Sequence, residues 1–191
     1  MSLTRGSASR GIDIPLEQKP NLFIYATHYS PPLAPKSAYI TSIMRNEYSP
    51  SVNLKTLNYL DAILAKKQAA EQGYEDGLLL NTQGNAASFT TANLFVVLKG
   101  NIITPPLNEG VLNGIIRQHL ITIAHSAGIP LMEKPLTVRE CLQATEIFAT
   151  NSLIEIQAIA RLNEHLLATG EDAPMTQALK QTYFKERMRY S

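Results

Sequence analysis

Two kinds of hydrophobic periodicity follow one another along the chain, in no regular order. Short segments rich in aromatic and β-branched residues predict strands, and apolar residues three or four positions apart predict helices. The predicted strands occupy residues 21–28, 38–45, 77–81, 93–98, 129–135, 146–150 and 154–162, and the predicted helices occupy residues 56–72, 113–127 and 173–189. Because strands and helices do not alternate strictly, the sequence predicts a mixed α/β or α+β fold.

Turn and capping signals mark the ends of several predicted elements. Gly73 and Gly128 stand where glycine commonly ends a helix, and Thr137 with Glu140 forms the capping-box pattern that begins a short helix. A proline-rich stretch at residues 30–35 predicts a surface loop between strands. We find no internal repeat and no linker that would divide the sequence in two.

Length and charge exclude several classes of protein. The 191 residues suffice for one compact domain with a substantial core, and the single cysteine excludes a disulfide framework within the chain. The 17 basic and 16 acidic residues are spread without runs, which favours neither nucleic acid nor an anionic membrane as a partner. No apolar run approaches the roughly 20 residues of a spanning helix. The N-terminus also lacks a signal-peptide core, so we expect a cytoplasmic protein without a metal site.

A lysine among apolar neighbours precedes the first predicted helix. Such a residue is usually a surface lysine whose aliphatic stem covers apolar surface, and this is the ordinary interpretation of Lys55. A desolvated lysine behaves differently, because burial lowers the pKa of its amine and allows it to form a Schiff base. The residues around Lys55 leave both interpretations open.

Three further segments carry polar groups that suit a ligand. The second predicted helix begins near Ile115 and Ile116, whose free amides could hold a phosphate. Asn151 and Ser152 follow a predicted strand and could complete a phosphate cup or simply form a turn. Serines and threonines at residues 84–95 could line a polar pocket, although threonine is also common in ordinary strands.

In this order, the four segments resemble the class IV, fold-type IV pyridoxal-phosphate enzymes. That family contains branched-chain and D-amino-acid aminotransferases and 4-amino-4-deoxychorismate lyase. The resemblance runs from the Arg-Gly pairs at residues 5–11 to about residue 162. It implies a mixed β pseudo-barrel with outer helices, pyridoxal 5′-phosphate as cofactor, an amino acid or 2-oxo acid as substrate, and a homodimer. It also implies an interdomain segment at residues 1–20 and a large cofactor-binding domain at residues 21–191, with the N-terminal small domain of the family absent.

The resemblance also implies a role for each candidate residue. Lys55 matches the lysine that holds the cofactor as a Schiff base and moves the proton, which requires an amine held out of water. Ile115 and Ile116 match the pair at the helix start that binds phosphate, although Ile116 offers only its backbone amide where the family often has threonine. Asn151 and Ser152 match a second contact on the phosphate side. Asn93 matches an asparagine whose role is mainly structural.

Ser88 departs from the family pattern, in which a glutamate pairs with the pyridine nitrogen of the cofactor. An ion pair at ~3 Å represents on the order of 5 kcal/mol at an effective dielectric constant near 20, before desolvation is counted. Even a third of that would shift the pKa of the ring nitrogen by roughly one unit. Because Ser88 supplies no charge, we expect a neutral ring and a weaker electron sink.

Three functions remain open from the sequence. An aminotransferase acting on amino acids and 2-oxo acids is the first choice. A 4-amino-4-deoxychorismate lyase is the alternative among enzymes. The Asn113–Gln118 segment and the Arg-Gly pairs at residues 5–11 are somewhat similar to the lyase, whereas residues 55–61 suit a transaminase equally well or better. A non-catalytic member that keeps the fold as a binding module is the alternative outside the enzymes, since Ser88 and the missing small domain favour that reading.

Overall fold

The computed structural model describes residues 1–30, 34 and 36–188. Most of the predicted proline-rich loop, and the last residue of the predicted C-terminal helix, lie outside the described residues. The chain divides into two compact units, Met1–Pro31 and Pro32–Ser191. In the first unit, strand β1 (Ser2–Thr4) pairs antiparallel with strand β2 (Asn21–Phe23).

The second unit contains nine described strands and four described α-helices. The strands are β3 (Lys36–Arg45), β4 (Asp76–Asn81), β5 (Ala86–Phe89), β6 (Asn93–Leu98), β7 (Asn101–Thr104), β8 (Leu131–Glu133), β9 (Glu146–Asn151), β10 (Glu155–Leu162) and β11 (His165–Leu166). The helices are α1 (Leu60–Glu71), α2 (Ile115–Ser126), α3 (Val138–Cys141) and α4 (Pro174–Arg187).

Six of these strands close into a barrel. Strand β3 pairs parallel with both β4 and β10. The ring continues through β5, β6 and β9 back to β10, and every pairing along that path is antiparallel. Strands β7 and β8 extend the sheet beyond β6, and β11 extends it beyond β10. The mixed barrel expected from the sequence is therefore confirmed.

Apolar residues alternate between the two faces of the barrel wall. In β6, Leu94 and Val96 belong to one buried cluster, whereas Phe95 and Val97 belong to a second cluster that includes residues of α2 and α4. Phe95 stacks on Phe148 of β9 with ring centroids 4.9 Å apart. A strand that is buried on both faces is nearly continuous in apolar residues. Helices α2 and α4 lie against the outside of the barrel because they cover the outward apolar residues of β6 and β9.

Helix α1 packs through small residues. Its buried positions are Ala65 and Ala69, while Leu60, Ile63 and Leu64 are exposed. The wall beneath it is also small, because a Cβ at Gly77 would lie 3.0 Å from the carbonyl oxygen of Ala65. The apolar spacing predicted a helix here, but the residues that pack are Ala65 and Ala69, which follow the leucines.

The observed bounds differ from the predicted ones mainly at short strands. Strand β2 ends at residue 23 instead of 28, and β8 is confined to three residues after Pro130. No bounds were predicted for β1, β5, β7 or β11. The predicted capping box is confirmed, since Thr137 and Glu140 exchange side-chain to backbone hydrogen bonds at the start of α3. No helix in the described part of the chain combines the length and apolar character needed to span a bilayer.

Candidate active site

A cavity of about 960 Å³ opens in the second unit, beside the ends of β3, β5, β6 and β9. The loop before α1 and the N-terminus of α2 complete its wall. Five of the six candidate residues line it, namely Lys55, Ser88, Ile115, Asn151 and Ser152. The sixth, Ile116, does not line it, because its side chain packs against the apolar cluster that contains Phe95. The tertiary structure thus gathers segments that are up to a hundred residues apart in sequence.

Three buried polar residues form a row across the cavity wall. Ser88 of β5 is directly opposite Asn93 of β6, and Asn93 is directly opposite Thr150 of β9. Directly paired residues in neighbouring strands point to the same face of a sheet. All three residues line the cavity and are buried. The row carries hydroxyl and amide groups but no charge.

Lys55 lies on the exposed side of the cavity. Its Nζ donates a hydrogen bond to the Tyr59 hydroxyl at 3.1 Å and lies 5.8 Å from the centroid of that ring. The expectation that this amine is held out of water is not met, because the loop before α1 is itself exposed. The amine nevertheless borders the same cavity as the polar row.

A half-buried cation stands beside Ser88. Arg45, at the end of β3, donates from Nη1 to Ser88 Oγ and from Nη2 to the Val52 carbonyl, each at 3.3 Å. Burial lowers the pKa of Arg45 below its ordinary value, and the charges of Asp61 and Tyr59 only partly offset this effect. No ion pair joins Arg45 to a carboxylate among the described residues.

The N-terminus of α2 forms one end of the cavity. Gly114 precedes the helix, and a Cβ at that position would collide with Asn93 Oδ1. Asn93 Nδ2 donates to the Leu112 carbonyl at 2.8 Å, which ties strand β6 to the helix start. This contact agrees with the structural role that the resemblance gives to Asn93. By helix geometry, the amides of Ile115 and Ile116 have no intrahelical acceptor, so they are available to an anion.

The two residues after Thr150 differ in their surroundings. The Asn151 side chain accepts hydrogen bonds from the amides of Leu153 and Ile154 and donates to the Thr91 carbonyl at 3.1 Å. Its carboxamide is thus largely engaged in shaping the turn after β9. Ser152 is exposed where the turn borders the cavity.

Two buried polar atoms of the cavity wall lack a hydrogen-bond partner within the described chain. They are Arg45 Nε and Thr150 Oγ1. Neither residue was among the candidates from the sequence, although Thr150 belongs to the polar strand end that drew attention to Asn151. Arg45 gave no signal, because it lies within a predicted strand and only tertiary contact brings it to Ser88.

These residues fit a phosphate-bearing aldehyde cofactor. The helix start and the unpartnered Thr150 hydroxyl suit an anionic oxygen, and the Lys55 amine borders the same cavity. Only the region of Ser88 departs from the pattern of the resembling family, since it presents a hydroxyl and the Arg45 cation where that pattern has a glutamate. Within residues 1–30, 34 and 36–188, no three His, Cys, Asp or Glu residues cluster as metal ligands would.

Comparison with known proteins agrees with this geometry. The chain is 32% identical over 186 residues to a Methanocaldococcus jannaschii protein named provisionally as a branched-chain-amino-acid aminotransferase, and the match covers 95% of this chain and 64% of that one. Less than two thirds of that relative's length is therefore spanned.

Solved structures give the same result. A Legionella pneumophila protein named provisionally as a 4-amino-4-deoxychorismate lyase superposes with a TM-score of 0.83 and 30% identity, over 94% of this chain and 68% of that one. A branched-chain amino acid aminotransferase from Thermobaculum terrenum in its PLP form superposes with a TM-score of 0.75 and 32% identity, over 80% of this chain and 50% of that one. The family model described as "Amino-transferase class IV" matches residues 1–162. The chain therefore belongs to the class IV amino-transferase family.

Proposed function

We propose that the chain is the cofactor-binding part of a pyridoxal-phosphate-dependent aminotransferase that acts on amino acids and 2-oxo acids. The observation that carries this proposal is the single cavity that Lys55, the buried polar row and the N-terminus of α2 all border. The name of the M. jannaschii relative supports branched-chain amino acids as the substrate class.

Each end of the cavity has a separate task in this proposal. The amides of Ile115 and Ile116 bind the phosphate through the positive end of α2, and Ser152 adds a contact from the turn after β9. Asn151 holds that turn in place and has one amide hydrogen left for the phosphate. Bound pyridoxal phosphate supplies the aldehyde that condenses with an amine and the ring that delocalises the electrons of the broken Cα–H bond.

Lys55 would hold the cofactor through its side-chain amine. With substrate bound, the Lys55 Nζ would act as the base that takes the proton from the substrate Cα and as the acid that gives it back. The hydrogen bond to the Tyr59 hydroxyl restricts where Nζ can point, so Tyr59 is a positioning residue. Because Lys55 is exposed, closer approach of the loop to the bound ligand would assist loss of the ammonium proton.

A lyase is the second candidate. The L. pneumophila neighbour superposes over 94% of this chain, which supports the lyase no better than the transaminase because the two activities share the same fold. A non-catalytic binding module is the third, and the neutral Ser88 favours it. Residues 21–191 as the cofactor-binding domain, a homodimer, and a cytoplasmic location with no membrane or nucleic-acid partner belong to the same proposal.

Borohydride trapping tests the proposal. The full chain is incubated with pyridoxal phosphate, reduced, digested and mapped by mass spectrometry. We expect the adduct on Lys55, whereas Lys66 and Lys67 of helix α1 serve as nearby controls and remain unmodified. An adduct spread equally over these three lysines, or none at all, would refute the enzyme assignment.

A donor screen then separates the three functions. Transfer of the amino group from a branched-chain amino acid to a 2-oxo acid identifies the transaminase. Pyruvate released from 4-amino-4-deoxychorismate without an acceptor identifies the lyase. A Lys55 adduct with neither reaction identifies the binding module.

A further inference from the structure

The hydroxyl of Thr150 is buried without a partner. The residue is 1% exposed, and no described group forms a hydrogen bond with its Oγ1. Thr150 itself lies within the sheet, where it is opposite Asn93 of β6 on one side and Ile156 of β10 on the other. Its hydroxyl is thus an unpartnered buried group on a residue that the strand pairing holds in place.

An unsatisfied buried hydroxyl is unfavourable for folding. Leaving such a group without a partner costs about 1–3 kcal/mol, whereas valine has almost the same shape and carries no polar atom. A strand wall that served only packing would gain stability from valine at this position. A group outside the described chain that forms a hydrogen bond with the Thr150 hydroxyl would explain why threonine occupies this position.

The position of Thr150 indicates the kind of group that does so. It lies directly opposite Asn93, whose side chain contacts the Leu112 carbonyl and approaches Gly114 at the start of α2. The hydroxyl thus belongs to the end of the cavity where free helix amides favour negative charge. Asn151, the next residue, has most of its carboxamide engaged in the turn.

We propose that Thr150 Oγ1 donates a hydrogen bond to an anionic phosphate oxygen of the ligand in this cavity. The proposal rests on the proposed function, since that function supplies a phosphate-bearing ligand. It makes Thr150 a binding residue in addition to Ile115, Ile116 and Ser152. The hydrogen bond to the ligand then compensates for the stability that the unpartnered hydroxyl costs the ligand-free protein.

Two variants and a matched control test this assignment. Thr150→Val removes the hydroxyl at nearly constant shape, and Thr150→Ser keeps it. The control is Thr90→Val, because Thr90 is also buried and lines the same cavity but already donates to Asp76 Oδ1 at 2.6 Å. Affinities for pyridoxal phosphate and for pyridoxal are measured by equilibrium titration, and the ligand-free proteins are unfolded in urea.

We expect valine to lower ligand affinity but not stability at position 150, and to lower stability but not ligand affinity at position 90. Thr150→Val weakens binding of pyridoxal phosphate by about tenfold, because a hydrogen bond to a charged group is lost, and changes binding of pyridoxal less than about twofold. The same variant is as stable as the unmodified chain or more stable in urea, and Thr150→Ser retains the affinity. Thr90→Val loses stability and keeps its affinity.

Two results would overturn the assignment. One is a Thr150→Val protein that binds pyridoxal phosphate as tightly as the unmodified chain, and the other is a loss of ligand-free stability as large as that of Thr90→Val. If the unmodified chain does not bind pyridoxal phosphate, the proposed function fails instead. The assignment is then decided by inorganic phosphate, whose stabilisation against heat must be present in the unmodified chain and absent in Thr150→Val.

Discussion

Arg45 and Ser88 meet on the cavity wall, at the position where the resemblance places a glutamate. The Arg45 guanidinium donates a hydrogen bond to Ser88 Oγ. The serine hydroxyl hydrogen therefore points away from Arg45 and can be donated in a hydrogen bond to another acceptor. An unprotonated ring nitrogen is such an acceptor, and a protonated one is not. The contact thus supports the expectation that the ring of a bound cofactor stays neutral in this chain.

Replacing Ser88 with glutamate tests the consequence for activity. We expect Ser88→Glu to speed amino transfer by about tenfold, since a carboxylate would favour the protonated ring by roughly one pKa unit. The rate of the half-reaction with an amino acid, followed by absorbance, is the measurement. Ser88→Gln is the control, because it has the same shape without the charge. Equal rates for the two variants would show that charge at this position does not limit the reaction.

At the scale of single elements, helix α3 is stabilised by short-range interactions that the sequence already predicts. Helix α3 begins with the reciprocal bonds of Thr137 and Glu140, and Glu140 also pairs with Lys134. The hydrogen bond from Lys134, followed by the Thr137 amide, lowers the pKa of Glu140 from 4.5 to about 2. A carboxyl group with a lowered pKa stabilises the folded state while it is ionised.

The pH dependence of the free energy of unfolding tests the contribution of the ionised Glu140 carboxylate. The contribution of Glu140 is fully present above about pH 4.5 and is lost as the pH falls toward 2. We expect Glu140→Gln to lower the free energy of unfolding by about 1 kcal/mol at pH 7, because glutamine can keep the capping box but loses the ion pair with Lys134. Urea denaturation at pH 7 and at pH 2.5 measures the difference, which should shrink at the lower pH. A difference of the same size at both pH values would mean that the ionised carboxylate is not responsible.

At the scale of the whole molecule, closure of the barrel organises both the core and the cavity. Strand β9 joins β6 to β10 and so completes the ring, and the same strand carries Thr150 into the cavity. Two residues earlier on the same face of β9, Phe148 stacks on Phe95 beneath the helices. The stability of the second unit and the shape of the site therefore depend on the same strand pairing.

Truncating the stacked pair tests this dependence. Phe95 is fully buried, and Phe95→Ala should lower the free energy of unfolding by about 3–5 kcal/mol through lost burial and a residual cavity. That is a large part of the 5–15 kcal/mol typical of folded domains. Urea denaturation compares it with Phe95→Leu, which fills much of the space and should cost less. Equal losses for the two variants would show that packing volume at this position matters little.

Much of this architecture could be predicted locally. Strand β6 carries a continuous apolar run, and β10 carries apolar residues between polar ones. The second and last helices have clear apolar faces, so periodicity identified all four elements. Strand β5 was missed because Ala86–Phe89 is short and follows a turn without alternation. Helix α1 was predicted, although it begins at Leu60 instead of residue 56. Its packing face was not evident, since Gly77 and the alanines set how closely it approaches β4.

The sequence by itself determined the order of the longer elements, the class of fold and most of the segments that border the cavity, because periodicity, capping and short motifs act between residues near one another in the chain. Only the tertiary structure decided which polar groups meet. Arg45 reaches Ser88 across β4 by a side-chain hydrogen bond between residues 43 positions apart. Thr150 comes opposite Asn93 by a strand pairing between residues 57 positions apart. Whether a buried hydroxyl has a partner depends on such distant neighbours, and no local pattern in the chain encodes them.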